Sequence, residues 1–341
     1  MFEENSKTLK HESDNQNVEL TIIIPHFNTP DYLEKLLDSI PFEESIQVVV
    51  IDDKSTLSKD AYEQLKSKEE YQHINFLDNN TDKKGAGVCR NIGIDNALGK
   101  WLLFADADDY FVDDFYLKVK KYLDSEKEVI FFCSTSVEAG TNKMSFRHEK
   151  MDQIIQDFIT MPDRKNELML RYKLPVPWSK LIRRDIVTSN KIYFDDTVVS
   201  NDVMFSMKLG YHMTLFEASK DIIYCVTNNT GSLTKTLSEE NFDTRLDVFI
   251  RRHVFLKDRL SKKDFKSLDI DGKPFIVMAF QYKLGIKKIL WILKKYRKNN
   301  VKIVEDIRSL NPIDVLKKIK MIHKKHKANK KHYVYQDPKE L

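Results

Sequence analysis

The segment WLLFADADDYF, residues 101–111, begins as an apolar run and ends in a group of carboxylates. Its first part predicts a buried β-strand, because short uninterrupted apolar runs fit strands that are covered on both faces. Asp106, Asp108 and Asp109 follow directly. Converging carboxylates repel one another and lose hydration on burial unless a cation or hydrogen-bond donors offset the cost. The segment therefore predicts a core strand that emerges at a ligand-binding edge.

Four further apolar runs around this segment also predict strands. They are LTIIIP, IQVVVID, INFLDN and VIFFCST, at residues 20–25, 46–52, 74–79 and 129–135. Between the first two, leucines spaced three and four residues apart after Pro30 indicate an amphipathic helix. This alternation predicts an α/β fold with a mostly parallel central sheet and helices on both of its faces.

Beyond Glu138 the apolar spacing becomes helical. Residues 150–173 and 178–190 are expected to form helices, separated by the proline-rich segment at 174–180. Residues 215–227 are expected to return a strand to the edge of the sheet. The later half of the domain is therefore predicted to be mainly helical.

Length and composition predict a globular protein, because 341 residues with 41% hydrophobic content can bury a large core. Cys89, Cys133 and Cys225 lie far apart without metal-type spacing, so we expect reduced core thiols in a cytoplasmic protein. Residues 1–18 are polar and charged, and are expected to form a flexible leader rather than a signal peptide. No stretch of about 18 uncharged apolar residues predicts a transmembrane helix.

Charge is distributed unevenly along the chain. Residues 283–332 contain 17 Lys and Arg and three Asp and Glu, a local +14, so the remainder carries −10 of the net +4. Such a lysine-rich surface is often only a solvated face. Apolar stripes beside the lysines, with Trp291 and Tyr296 among them, favour an anionic membrane surface as the partner of these basic helices. No nucleic-acid-binding module accompanies the charge, so nucleic acid is not expected.

Acidic residues follow three of the predicted strands at their carboxyl ends, where open parallel sheets bind ligands. They include Asp52, Asp53, Asp106 and Asp108. Carboxylate oxygens are the ligands that Mg²⁺ and Mn²⁺ prefer. Asp106 and Asp108 are two apart in an extended segment and so point to the same side. They predict a Mn²⁺ or Mg²⁺ site open to phosphate oxygens, although a lone D-x-D also occurs at ordinary strand ends.

A glycine-containing loop, KKGAG at residues 83–87, precedes a predicted helix that carries Arg90. Backbone amides at a helix start, together with Lys84 and Arg90, predict a site for an anionic or polyhydroxy ligand. The alternative is a flexible turn in which the side chains of Lys84 and Arg90 are simply solvated. The Walker P-loop and the full dinucleotide glycine pattern are absent from the sequence, which argues against NTPase and NAD-dependent classes.

Four sequence blocks together resemble the family 2 glycosyltransferases with the GT-A fold. They are ELTIIIPHFN, VVVIDDKS, KKGAGVCRNIGIDNALGKWLLFADADDYF, and WSKLIRRDIV followed by NDVMF. The resemblance implies a GT-A domain over residues 19–245, with a nucleotide-sugar-binding half at 19–135 and an acceptor and catalytic half at 136–245. Residues 246–341 are then a basic helical extension. It also implies a nucleotide-sugar donor, usually a UDP-sugar, a divalent metal ion, and transfer with inversion at the anomeric carbon.

The resemblance also implies residue roles. Asp108 is expected to be the direct metal ligand and Asp106 to meet the ribose or the metal. In the family a later Glu-Asp pair supplies the catalytic base; here Asn201 and Asp202 stand in its place, so we expect Asp202 to be the base. Trp178 offers a flat face for stacking on an acceptor sugar, or else packs in the core. The remaining expected donor contacts are Pro25, Phe27, Asp52, Asp53, Lys84, Gly85, Arg90 and Asp109.

One departure from the family concerns the strand after the base. Members commonly carry a Tyr and a basic residue there, whereas this strand has Tyr224 without the Arg or His. The third contact to metal or phosphate is therefore open, with Asn229, Ser232 and Lys235 as candidate replacements.

The leading interpretation is an inverting glycosyltransferase that acts in bacterial cell-surface polysaccharide synthesis. We expect a glycan or lipid-linked acceptor and a cytoplasmic location, peripheral on the inner face of the membrane. Two alternatives stay open at this point. One is a D-x-D phosphoryl-transfer enzyme that uses Asp106 as its nucleophile, and the other is a catalytically inactive nucleotide-sugar-binding protein.

Overall fold

The computed structural model describes residues 18–141, 143–228 and 238–303. The chain divides into two compact units, with the division between Asn228 and Asn229. The boundary expected after residue 245 instead falls inside a continuous helix, Glu239–Arg259. The leader up to residue 17, the candidate loop residues Asn229, Ser232 and Lys235, and the basic segment beyond residue 303 lie outside the described residues.

The first unit contains an eight-stranded sheet in the order β3-β2-β1-β4-β7-β6-β8-β5. Its strands are β1 (Leu20–His26), β2 (Ile46–Asp52), β3 (Asn75–Asp78), β4 (Trp101–Phe104), β5 (Tyr110–Phe111), β6 (Val129–Glu138), β7 (Lys180–Arg183) and β8 (Phe216–Asn228). Strands β3, β2, β1 and β4 pair in parallel. Because β7 is antiparallel to both β4 and β6, and β8 is parallel to β6, six strands end at the same edge. The predicted α/β class with a mostly parallel sheet is confirmed.

Eight helices accompany the sheet in the described part of this unit. They are α1 (Pro30–Asp38), α2 (Lys59–Lys66), α3 (Ala86–Asp95), α4 (Phe115–Lys120), α5 (Glu149–Thr160), α6 (Arg164–Tyr172), α7 (Arg184–Ser189) and α8 (Asn201–His212). Alternate residues of β1 enter different apolar clusters, Ile22 and Ile24 one and Ile23 the other. Both faces of the sheet are therefore covered, which explains why the strand sequences read as continuous apolar runs.

Two predictions in the second half of this unit are wrong. Residues 178–190 were expected to be helical, but Lys180–Arg183 form β7 and only α7 is helical. Pairing with β4 on one side and β6 on the other overrides the local helical spacing. Strand β8 does not form the sheet edge, because the two-residue β5 pairs along its outer side.

The second unit, as far as it is described, is helical. It comprises α9 (Glu239–Arg259), α10 (Lys262–Ser267), α11 (Lys273–Gln281) and α12 (Gly285–Lys298). The apolar stripe of α12, Ile289, Ile292 and Tyr296, is buried in the core of this unit with residues of α9. This stripe is therefore not available to a membrane surface, contrary to the expectation for the basic helices. Across the described ranges, no helix combines the length and apolarity needed to cross a bilayer.

A close approach between α3 and β1 provides a test of the packing. A methyl group added at Gly93 would lie 2.3 Å from Ile23 Cγ2. Gly93→Ala is expected to lower the free energy of unfolding by about 1–3 kcal/mol, because overpacking forces neighbouring atoms to shift. Urea denaturation measures the change. Adding Ile23→Ala should relieve the clash, so the two losses should combine to less than their sum; fully additive losses would contradict this packing.

Candidate active site

The carboxyl ends of β1 and β2 are joined by His26 and Asp52. His26 Nε2 accepts a hydrogen bond from the backbone N–H of Thr29 at 3.2 Å, so Nδ1 carries the proton and donates to Asp52 Oδ1 at 2.8 Å. Asp52 also accepts from the Ser55 N–H and hydroxyl, at 2.8 and 2.6 Å. Burial opposes ionisation of Asp52, but the Ser55 and His26 hydrogen bonds outweigh it and lower the pKa of Asp52. The buried Asp52 therefore supports the edge, and its geometry argues against the predicted donor contact.

Asp53 ties three elements together. Its Oδ1 accepts from Asn79 Nδ2 and its Oδ2 from the backbone N–H of Gly85, both at 2.7 Å. Gly85 precedes α3 with a φ of +119°, a conformation that glycine adopts without strain. The Gly85 N–H is therefore occupied by Asp53. It is not available to an anionic ligand, which differs from the sequence-based expectation for this loop. Asn79 directly follows β3, but its sequence position alone assigned it no role.

Two predicted donor residues present their side chains at the surface of this edge. Phe27 directly follows β1 and is 48% exposed. The exposed Lys84 places Nζ 5.6 Å from the centroid of the Phe27 ring. Pro25, by contrast, is buried within β1 beside Ile51 of β2. An aromatic face with a neighbouring cation is suited to bind a nucleotide, whose planar nucleobase can stack on the ring while its phosphate groups lie near the cation.

Arg90 connects the carboxylate cluster to the start of α8. Its Nη1 donates to Asn201 Oδ1 at 2.9 Å and its Nη2 to Asp106 Oδ1 at 2.5 Å. The guanidinium also lies 5.2 Å from the centroid of the Phe194 ring, and Arg90 is buried. Arg90 is therefore a bridge between two parts of the site, and its burial argues against the predicted direct donor contact.

The D-x-D carboxylates differ in environment from the aspartate that follows them. Asp106 and Asp108 are partly exposed. Asp109 is buried, and it accepts hydrogen bonds from the Tyr224 hydroxyl at 3.0 Å and the Thr227 N–H at 2.7 Å. Burial, and then the charges of Asp108 and Asp106, raise the pKa of Asp109 well above its ordinary value. Asp109 is thus an internal residue of the turn, contrary to the predicted sugar contact.

Asp106 and Asp108 are the expected ligands of a divalent ion. Within the described ranges, no three His, Cys, Asp or Glu side chains gather into a metal site. Asp106 and Asp108 nevertheless supply hard oxygen ligands, which suits Mg²⁺ or Mn²⁺ that completes its coordination with phosphate oxygens and water. A dication would also offset the repulsion that raises the pKa of Asp109. The residues present therefore fit a metal shared with a ligand.

Asp202 lies in the first turn of α8 and keeps a partial opening to solvent. Burial raises the pKa of Asp202, and the charge of Asp106 acts in the same direction. The nearby Arg90 and Lys180 charges and the backbone N–H of Asp202 oppose this shift. A carboxylate with a raised pKa beside a ligand-binding edge is suited to accept a proton.

Lys180 was missed by the sequence reasoning, since a lysine in a predicted helix gives no sign of burial. The residue is only 4% exposed, and its Nζ donates to the Leu174 carbonyl at 2.6 Å. A longer contact of 3.4 Å joins it to the hydroxyl of Ser206, one turn after Asp202 on α8. Burial lowers the pKa of Lys180 to about 7, against the raising effect of Asp202.

Trp178 is a core residue, so the predicted acceptor contact is wrong. Its side chain is almost fully buried, and its ring stacks on Tyr224 with centroids 5.5 Å apart and an interplanar angle of 15°. This burial agrees with the alternative that the sequence left open, packing in the core.

The Arg90 bridge generates a prediction. Arg90→Lys should lower the free energy of unfolding by about 1.5–3 kcal/mol, because one ammonium group cannot reproduce the forked contact with Asp106 and Asn201. Chemical denaturation gives the value. Arg183→Lys, at a more open ion pair with Asp185, is the matched control and should change stability by less than about 1 kcal/mol. Equal effects of the two substitutions would contradict the bridging role.

Comparison with known proteins supports the predicted family. Residues 21–189 match the family model described as Glycosyl transferase family 2. The poly(ribitol-phosphate) beta-glucosyltransferase of Bacillus spizizenii is 25% identical over 256 residues, which are 69% of this chain and 40% of that protein. Glycosyltransferase GlyA of Streptococcus pneumoniae is 24% identical over 247 residues, 70% of this chain and 34% of that protein. The chain thus spans well under half of the length of these two relatives.

A solved structure shows the same fold. The crystal structure of Staphylococcus aureus TarS 1–349 in complex with UDP-GlcNAc matches with a TM-score of 0.61 at 19% identity, covering 80% of this chain and 77% of that chain. This match confirms the predicted GT-A fold. With the family match over residues 21–189 and the ordered blocks at the sheet edge, the chain belongs to glycosyl transferase family 2.

Proposed function

We propose that this protein transfers a sugar from a nucleotide-sugar donor, a UDP-sugar, to a hydroxyl group of a glycan or lipid-linked acceptor, with inversion at the anomeric carbon. One observation carries the proposal. The partly exposed D-x-D pair is tied through the buried Arg90 to the helix turn that presents Asp202. A phosphate-binding element and a carboxylate base are thereby held at one edge of the sheet.

Asp202 acts as the base in this proposal. A sugar hydroxyl is a weak nucleophile, so a carboxylate must accept its proton as the new bond to the anomeric carbon forms. The raised pKa of Asp202 increases its affinity for that proton. Direct displacement by the hydroxyl needs no covalent nucleophile on the protein and accounts for inversion.

The donor lies between the end of β1 and the D-x-D turn. The exposed ring of Phe27 stacks on the nucleobase of the donor, and Lys84 places a positive charge near the phosphates. Mg²⁺ or Mn²⁺ held by Asp106 and Asp108 would neutralise charge on the departing nucleoside diphosphate. Asn201 accepts from Arg90 through its amide oxygen, so it supplies an acceptor at the position where the resemblance implies a Glu.

The relatives support a substrate class for the proposal. One relative is named as a poly(ribitol-phosphate) glucosyltransferase, and the TarS structure holds UDP-GlcNAc. We therefore propose a UDP-hexose or UDP-N-acetylhexosamine donor and a bacterial cell-surface polymer as acceptor. Phosphoryl transfer through Asp106 is not favoured, because its Oδ1 is paired with Arg90.

A cytoplasmic location, peripheral on the membrane, is part of the proposal because a lipid-linked acceptor would lie there. The buried stripe of α12 does not serve this role. Its outward face carries Ile286 and Leu290, 66% and 59% exposed, beside the exposed Lys287 and Lys294. Apolar and cationic side chains together suit an anionic lipid surface.

Ligand binding and turnover test the donor site and the base separately. UDP-sugars are screened for Mn²⁺-dependent binding, hydrolysis and transfer with wild type, Asp108→Asn and Asp202→Asn. We expect Asp108→Asn to weaken metal-dependent UDP binding at least about tenfold. Asp202→Asn should bind UDP normally but lose about 10²-fold to 10⁴-fold in transfer rate.

Asp113→Asn, at an exposed carboxylate shortly after the D-x-D turn, is the matched control and should behave as wild type. Failure of every nucleotide sugar to bind with metal would refute the proposed function. Binding without hydrolysis or transfer would favour the inactive binding protein, and full transfer by Asp202→Asn would exclude this residue as the base.

The pKa shift of Asp202 predicts a pH dependence. The base must be ionised, and its ionised fraction rises as pH passes its raised pKa. Activity, measured as kcat/KM, should therefore fall with acidification with a midpoint above about 4, the ordinary aspartate value. Asp185→Asn, at an exposed carboxylate, should leave this fall in kcat/KM at acidic pH unchanged. A midpoint at or below the ordinary value would contradict the environment described for Asp202.

A further inference from the structure

The hydroxyl of Tyr224 lies between β8 and the D-x-D turn. It accepts a hydrogen bond from the backbone N–H of Asp106 at 2.8 Å and donates to Asp109 Oδ2 at 3.0 Å. The other carboxylate oxygen of Asp109 accepts from the Thr227 N–H at 2.7 Å. Both ends of the turn from Asp106 to Asp109 are therefore fastened to the same strand.

The direction of these hydrogen bonds follows from the groups involved. A backbone N–H can only donate, so the phenol oxygen accepts from Asp106 and its single proton goes to Asp109. Asp109 also accepts a hydrogen bond from the Thr227 N–H, so its carboxylate is the final acceptor of both the Tyr224 and the Thr227 hydrogen bonds. The arrangement fixes the order Asp106, Tyr224, Asp109, and makes the hydroxyl the link on which the turn depends.

Packing fixes the position of the hydroxyl. Tyr224 is 0% exposed, and its ring is stacked on Trp178 on one side. Phe111 contacts the ring edge to face, with centroids 5.4 Å apart. In the strand pairing Phe111 lies opposite Tyr224, so the chain returns to β8 directly after the turn. The ring cannot move without displacing these aromatic neighbours, which makes it a rigid support.

We propose that Tyr224 is a positioning residue for metal and diphosphate binding, an inference that rests on the proposed function. Asp106 and Asp108 project from the turn that Tyr224 holds, and a shared metal site tolerates only small errors in carboxylate position. Loss of the hydroxyl leaves the Asp106 N–H and one Asp109 oxygen without this partner. The turn then relaxes, and the two carboxylates no longer present their oxygens together.

Tyr224→Phe tests this role, with Tyr296→Phe as the matched control. Tyr296 is also almost fully buried, and its hydroxyl donates to the Gly272 carbonyl at 2.8 Å within the second unit. Each substitution removes one buried hydroxyl and keeps the ring. UDP binding is measured by calorimetry across a Mn²⁺ titration, with thermal unfolding recorded for each protein.

Both variants should lose some thermal stability. Tyr224→Phe alone should raise the Mn²⁺ concentration needed for half-maximal UDP binding, by about tenfold. Saturating Mn²⁺ should restore kcat towards the wild-type value, because Asp202 is unchanged. A higher metal requirement with recovered kcat distinguishes positioning from a general loss of folded protein.

Unchanged Mn²⁺ dependence in Tyr224→Phe, or an equal change in Tyr296→Phe, would overturn the inference. If Tyr224→Phe does not fold, Asp109→Asn replaces it, since it keeps one of the two acceptor oxygens and should shift the Mn²⁺ dependence in the same direction. A wild-type Mn²⁺ dependence in that variant would also overturn it. Failure of the wild-type protein to bind UDP with Mn²⁺ would instead refute the proposed function.

Discussion

The buried guanidinium of Arg90 is the interaction on which the site depends. It donates to Asp106 beside β4 and to Asn201 at the start of α8, two residues from distant parts of the chain. A single cation thereby offsets part of the carboxylate charge and fixes the distance between the D-x-D turn and the helix that carries Asp202. Arginine suits this task because its planar group donates in two directions and stays ionised when buried.

The remaining acidic groups are stabilised by hydrogen-bond donors of the protein. Ser55 and His26 serve Asp52, Asn79 and Gly85 serve Asp53, and Tyr224 and Thr227 serve Asp109. Asp106, Asp108 and Asp202 retain access to solvent. Some carboxylates at this edge are therefore buried and hydrogen-bonded to the protein, whereas others are accessible from solvent. This division explains how one edge of the sheet accommodates so many negative charges.

Asn201 stands where the resemblance to the family implies a Glu, and its contacts show what an amide does at this position. Asn201 provides the acceptor oxygen that Arg90 requires and adds no negative charge next to Asp202. A Glu there would add a carboxylate to a region where burial already raises the pKa of Asp202. An amide at this position is therefore compatible with the proposed role of Asp202 as the base.

The sequence alone determined the α/β class, the strands β1 to β4 and β6, the family, and the D-x-D position, because these follow from local periodicity and from ordered blocks. Tertiary structure decided which acidic groups are open and which are internal. Arg90 donates to Asn201, which lies 111 residues later in the chain, and the Asp106 N–H donates to Tyr224, 118 residues later. Neither contact can therefore be predicted from the local sequence. Local sequence did not establish that Asp109, Trp178 and Lys180 are buried. Burial depends on which strands become neighbours, and that is set by long-range pairing such as β7 with β4 and β6.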